Sequence, residues 1–273
     1  RDGSHSEDYL IQADWEQRAM NHSDILLFWV PRNLATLPGF STNVEFGQKV
    51  AGRNIVLGHP TEAPKCRFLD YLAENHHVSV QHSLADTLNV ALEQLGDGAE
   101  RSGGECQVPL FLWNTPHFQR WLQAQKRAGN RLDGCTVKLA FGVGPREAFL
   151  LYWGAHVDIH VAREGRNKSN EIAIGRPDVK HVVGFQRAAE WRDSLVILIR
   201  EFRSTAVVGD CLVREVPGGS SFKAQSPVET AAREFAEETG IDISPERLRP
   251  LAVRQVAATV ATHCAHVYAV ALS

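Results

Sequence analysis

Residues 218–241, GGSSFKAQSPVETAAREFAEETGI, constrain what this chain can fold into more than any other stretch. A glycine pair is followed by the local signals of a short helix. Ser226 can cap it, Pro227 suits its first turn, and Glu229 stands at the third helical position, where its side chain can reach back to the cap. Gly240 supplies the stop. Between these ends Val228, Ala231, Ala232, Phe235 and Thr239 fall on one face at helical spacing, so the segment has a side to bury. Glu234, Glu237 and Glu238 lie along the other flank. Like charges a turn apart oppose a helix by roughly 0.2 to 0.5 kcal/mol per pair. A hard cation with oxygen ligands would offset that repulsion. A solvated acidic face is the alternative reading.

The whole pattern resembles the Nudix box, Gly-x5-Glu-x7-Arg-Glu-(apolar)-x-Glu-Glu-x-Gly-(apolar), with Gly219 in first position and Arg233, Glu234, Phe235, Glu237, Glu238, Gly240 and Ile241 closing it in register. Gln225 stands where the family carries its first glutamate, which removes one negative charge from the outer part of the site. The resemblance implies an α/β/α domain with a mixed sheet, hydrolysing a diphosphate. It also implies Mg²⁺ or Mn²⁺ on Glu234 and Glu238, with Glu237 as a further ligand and catalytic carboxylate and the Gly218 carbonyl completing the shell. Arg233 would orient the glutamates. The run Arg200-Glu201-Phe202-Arg203, followed by Val213-Arg214-Glu215-Val216-Pro217-Gly218-Gly219, is similar to the ADP-ribose and nucleotide-sugar pyrophosphatase branch. By that resemblance Arg203, with Arg200 near it, grips a phosphate or a terminal ribose, and water splits the substrate into two monophosphates. An ion pair with a sheet-edge glutamate is the other role open to Arg203. The general base in this branch comes from a loop beyond the box. Here TVATHCAH at 259–266 offers His263 and His266, and His263 is the candidate because an imidazole titrates near neutrality. A strand histidine without chemistry is the alternative.

Ahead of the box there is room for a second domain, since 273 residues with 44% hydrophobic content can supply two cores. Asp24 leads into ILLFWVP, and NIVLG at 54–58 repeats that texture. Nearly continuous apolar runs suit strands buried on both faces of a parallel sheet. Helices are expected over 8–21, over 44–50 after a cap at Ser41-Thr42-Asn43, over 64–73 and over 83–95, with a further strand at 78–80. This alternation predicts an α/β, doubly wound parallel sheet. Such folds gather ligands at the carboxyl ends of their strands.

The phrases DILLFW at 24–29 and TNVEFG at 42–47 resemble the nucleoside 2-deoxyribosyltransferase-like family. The resemblance implies Glu45 as a nucleophile that attacks the sugar carbon and displaces the base, Asp24 as a sugar or base contact, and Asn43 at the substrate. The structural alternatives are helix N-terminal charge for Glu45, worth roughly 0.3 to 1 kcal/mol, and a residue leading into the strand for Asp24. The family's first strand and glycine-rich turn have no counterpart here, and LPGF at 37–40 replaces its second aspartate. The chain also begins at Arg1 without a methionine, so a partial sheet with upstream sequence removed is expected.

GDGAERSGG at 96–104 reads as a linker between a 1–95 domain and a 105–273 domain. Beyond it, residues 116–128 predict a helix with Phe118, Trp121, Leu122 and Gln125 along one side, a core or interface face. Strands are expected around 137–141 and over 149–161, where His156, Asp158 and His160 share a face that suits metal or, alternatively, a polar sheet surface. Arg163, Arg166, Lys168 and Arg176 suggest a basic loop, and residues 194–200 a buried strand.

A net charge of −3 gives no general attraction to nucleic acid or to an anionic membrane, so the expected partner is a small nucleoside diphosphate. Five dispersed cysteines without a Cys-x-x-Cys spacing argue against a disulfide framework or zinc site and fit a reducing cytoplasm. No apolar run reaches the roughly 18 residues of a membrane span. Members of the pyrophosphatase branch commonly pair through N-terminal strands, so by that resemblance the long strands before the box and the Trp-bearing helix imply a homodimer. Two further functions stay open: glycosidase or deoxyribosyl transfer by the front domain, and nucleotide sensing by a degenerate box.

Overall fold

A computed structural model of the chain describes residues 9–207, 209–222 and 226–272. The chain divides into two compact units, Arg1–Ala173 and Ile174–Ser273. The 96–104 stretch therefore lies inside the first unit.

That unit opens with α1 (Tyr9–His22), β1 (Leu26–Trp29), α2 (Phe40–Lys49), β2 (Ile55–Gly58), α3 (Arg67–Asn75), β3 (Val80–Gln81) and α4 (Leu84–Leu95). The strands form a parallel sheet in the order β1-β2-β3, with Leu26 opposite Ile55 and Leu57 opposite Val80. Every residue of β2 is buried, because helices close over both faces. That is why the strand reads as an unbroken apolar run. Gly58 is required at its end: a Cβ there would stand 2.1 Å from Thr87 Oγ1 of α4. The α/β architecture with a parallel front sheet is thus present. One boundary differs from expectation. Gly39, in a left-handed conformation at φ 64°, turns the chain so that α2 starts at Phe40. Ser41, Thr42 and Asn43 form its first turn instead of its cap, and Glu45 stands in mid-helix, out of reach of the N-terminal dipole.

The unit continues with α5 (Leu110–Trp113), α6 (Pro116–Arg127), β4 (Arg131–Val143), β5 (Phe149–Val161) and most of β6 (Arg166–Gly175), a sheet in the order β4-β5-β6 with β4 antiparallel to β5. Phe118 and Leu122 of α6 pack on Trp153, Val157 and Ile159 of β5. Trp153 is fully buried, with the Phe118 and Trp121 rings at 5.4 and 5.9 Å. The aromatic side of α6 is therefore core. The basic loop expected over 163–176 is for the most part a strand, β6, whose polar, exposed residues gave no alternation to read.

The second unit holds β7 (Val179–Gln186), β8 (Leu195–Val196), β9 (Ile199–Phe202), β10 (Leu212–Glu215), β11 (Gly218–Gly219), α7 (Pro227–Thr239), β12 (Arg249–Gln255) and β13 (Cys264–Ala271). Its mixed sheet runs β11-β7-β13-β12, with β13 parallel to β7 and antiparallel to β12, and β8 also paired to β7. β9 and β10 make a separate antiparallel ladder. Phe235 of α7 packs with Val182, Tyr268 and Val270, and Gly184 admits it, since a Cβ there would lie 2.8 Å from the Phe235 ring. The buried strand expected at 194–200 is instead two short pieces. β8 serves one sheet and β9 the other, so Leu195, Val196 and Leu198 are half exposed or more. Among the described residues no helix is long and apolar enough to cross a membrane.

Candidate functional site

The helix α7 is built as its sequence demands. Ser226 Oγ accepts from the Glu229 N–H at 3.3 Å while Glu229 Oε2 accepts from the Ser226 N–H at 2.9 Å, a closed capping box, and Gly240 ends the helix at φ 70°. Ala231, Ala232 and Phe235 are buried, which turns the glutamate flank toward β11. There the backbone receives it. Glu238 Oε2 accepts from the Gly218 N–H at 2.8 Å. A Cβ on Gly219 would lie 2.1 Å from Glu234 Oε2, so the carboxylate sits in the space that glycine leaves open. Gly218 is the more tightly constrained, because a Cβ there would meet backbone, Lys180 O at 2.1 Å, and His181 Nδ1 at 2.7 Å.

Arg233 gathers the remaining charge. It donates to Glu234 Oε1 at 2.5 Å and to both oxygens of Glu237 at 2.9 and 3.0 Å. Its pKa rises, first through the hydrogen bond to Glu237. Glu238 is pushed above the usual glutamate range by partial burial, which the Gly218 N–H opposes and the charges of Glu201, Glu234 and Glu215 reinforce. Sequence reading did not single out Glu201 or Glu215. They come from β9 and β10, and only the pairing of that hairpin brings them to α7. Both also hold Arg203, which donates to Glu201 Oε2 at 2.8 Å and to Glu215 Oε1. Arg203 is thus ion-paired with sheet glutamates. Arg200 pairs instead with Asp210, and alternation along β9 turns it away from the Glu201 side.

Of the histidines, His266 Nε2 lies 3.0 Å from Asp178 Oδ2, a buried carboxylate that also accepts from the Cys264 N–H at 2.5 Å. His263 precedes β13, and its carbonyl accepts from the Val256 N–H at 3.1 Å. The imidazole that adjoins the glycine pair is His181, with a buried Nδ1 that makes no hydrogen bond. Its place follows from the register of β11 on β7, which no local pattern announces. Gln225 lies outside the described residues.

Among the described residues no three His, Cys, Asp or Glu side chains converge as a ready cation cage. The donor chemistry nevertheless fits Mg²⁺ or Mn²⁺. The carboxylates near Glu238 are hard oxygen donors whose charges add to the effect of burial on its pKa, and Arg233 covers the charge of Glu234.

Residues 182–272 match the family model for the NUDIX domain. The match opens within β7 and closes after β13, so it takes in α7 and the sheet beneath it. It supports a hydrolase of nucleoside diphosphate derivatives acting on a small-molecule substrate. No curated protein matches the chain.

The first unit has a carboxylate site of its own. A cavity of about 810 Å³ is lined by Glu45, Glu16, Tyr9, Trp15, Phe28 and Trp29, among others. Burial raises the pKa of Glu45, and the Glu16 charge raises it further. Asp24 is not part of this cavity. It sits before β1, where Arg101 donates to both its oxygens and the Leu110 N–H donates to Oδ1 at 3.0 Å. Asn43 Oδ1 accepts from Arg32, which also donates to Lys65 O at 2.7 Å. Asp24 and Asn43 thus hold structure together, while Glu45 faces open space. The His156, Asp158 and His160 face of β5 is a polar network: Asn167 bridges His160 Nδ1 at 2.8 Å, Asp158 at 3.1 Å and Asp133 at 2.9 Å. Asp133 is pushed down to about 2 by its hydrogen bond to Arg131 and then by Asn167.

Proposed function

We propose that the second unit hydrolyses a nucleoside diphosphate joined to another group, ADP-ribose or a nucleotide sugar, into two monophosphates with Mg²⁺ or Mn²⁺. The observation that supports this most is the seating of Glu238 on the Gly218 N–H and of Glu234 against Gly219. Glu234 and Glu238 would hold the cation, with Glu237 and the Gly218 carbonyl as further donors. The cation supplies charge neutralisation at the diphosphate and lowers the pKa of a water. Arg233 orients both carboxylates, its Nη1 donating to the two Glu237 oxygens and its Nη2 to Glu234 Oε1. Arg203 turns from Glu215 to a substrate phosphate, and His263 takes the proton. A homodimer in the cytoplasm is part of the same reading. Hydrolysis of a metabolite panel read by mass spectrometry tests it. AMP and a sugar phosphate in equal amounts are expected from wild type, and no metal-dependent product from any diphosphate would defeat the reading in favour of a nucleotide sensor.

A second reading is favoured by Glu45, a carboxylate of raised pKa in an aromatic-lined cavity. Glu45 would attack a nucleoside sugar and displace its base, with Glu16 opposite. Base release from a nucleoside panel tests this; release unchanged in Glu45→Ala would end it.

A further inference from the structure

The first unit holds another cavity, of about 380 Å³, whose lining includes Asp24, Arg53, His76, His77, Asn114 and Arg146. It belongs to neither reading above. Two of its carboxylates have a cation beside them. Asp24 is taken up by Arg101 and the Leu110 N–H, and Glu147, also in the lining, faces the half-buried Arg53 and supports its charge against burial. What remains is one exposed guanidinium, Arg146, two exposed imidazoles, the Asn114 and Gln94 carboxamides and the Ser79 hydroxyl. Each of these can donate a hydrogen bond, and none is a carboxylate.

The backbone adds a separate observation. Six non-glycine residues among the described ones have positive φ, and three of them, His77 at 57°, Arg146 at 52° and Glu147 at 53°, border this cavity. Such conformations persist where surrounding structure over-determines them, and they cluster at ligand clamps. Gly142 shows the same crowding: a Cβ there would stand 2.2 Å from Arg53 Nη1 and 2.6 Å from Glu147 O. The β4–β5 turn is therefore held against Arg53, and Arg146 is fixed on the cavity rim.

We propose that this cavity binds a phosphate monoester. Tetrahedral oxygen acceptors suit a guanidinium flanked by imidazole and amide donors, and the volume accommodates a phosphate with a pentose-sized group. The probes are inorganic phosphate and ribose 5-phosphate, titrated into the full chain by calorimetry, with the His76 and His77 imidazole resonances followed by NMR and assigned through His76→Gln and His77→Asn. Ribose 5-phosphate should shift both resonances, and Arg146→Ala should weaken its binding at least tenfold without changing the melting temperature. Arg203→Ala, in the other unit, should leave the binding intact. Arg146→Ala binding as tightly as wild type, imidazole resonances that stay still at millimolar ligand, or loss of all binding in Arg203→Ala would each overturn the proposal. If Arg146→Ala proves unstable, Arg146→Gln gives the same readout, and undiminished binding there overturns it equally.

Discussion

Glu238 and Glu45 are both glutamates held above their usual pKa, yet their surroundings differ in kind. Glu238 leans on a backbone N–H among other carboxylates, with Arg233 and Arg203 woven between them. Glu45 faces a single second carboxylate across a cavity walled by Tyr9, Trp15, Phe28 and Trp29. Crowded charge of one sign asks for a small, hard cation. A half-buried carboxylate beside aromatic faces suits a flat organic group that becomes positive as it reacts. The difference teaches that a raised pKa marks a poised carboxylate without naming its chemistry; the neighbours name it.

The largest effect that would break this contrast is catalytic. Glu238→Gln should lower metal-dependent diphosphate hydrolysis by roughly a thousandfold, about 4 kcal/mol in barrier, while Glu45→Gln leaves that rate unchanged; a steady-state assay of both variants checks it. Conversely, Glu45→Gln should remove base release and Glu238→Gln should spare it. Equal losses in both assays from either variant would mean that the two sites are not independent.

Next in size is Gly219→Ala. Its methyl would take the place of the Glu234 carboxylate, 2.1 Å away, and that flexible side-chain end must swing aside, so affinity for Mn²⁺ should fall at least tenfold while the urea midpoint changes little. Wild-type Mn²⁺ affinity would show that the seat of Glu234 against Gly219 does not matter to the cation.

These expectations rest on features that were unequally visible in the sequence. The box helix was legible because its determinants are local: Ser226 and Glu229 cap each other, Phe235 repeats at helical spacing and Gly240 stops the turn. Strand β2 was legible because burial on both faces leaves an apolar run. Glu201, Glu215 and His181 were not, since each reaches the site through strand pairing with residues distant in sequence. The surroundings of Asp24 were hidden for the same reason. Its partner Arg101 lies 77 residues away, and nothing near Asp24 predicts that bond. Strand β7 escaped notice because a buried lysine, Lys180, interrupts its apolar alternation.

A smaller effect is pH dependence. The folded-state pKa of Glu238 lies above its ordinary value of 4.5, so its contribution to stability is fully present below that value and is lost as pH rises through the folded pKa. Metal-free protein should therefore lose some stability from this group on going from mild acid to neutrality, and Glu238→Gln should flatten the profile in thermal melts. Divalent cation should restore stability at neutral pH and fail to do so in acid, where the proton holds the carboxylate. A Glu238→Gln profile identical to wild type would remove Glu238 from the account. The smallest expected change is Ser226→Ala, a loss of about 1 kcal/mol from the α7 cap that should appear in urea unfolding with little change in cation affinity.

The central claim is that Glu234 and Glu238 together hold a divalent cation. Titration of Mn²⁺ into wild type and into Glu234→Gln/Glu238→Gln, followed by electron paramagnetic resonance at neutral pH, tests it most directly. The account predicts Mn²⁺ binding by wild type and at least a hundredfold weaker binding by the variant, whose melting temperature without metal is no lower. Equal Mn²⁺ affinity in the two proteins would contradict it.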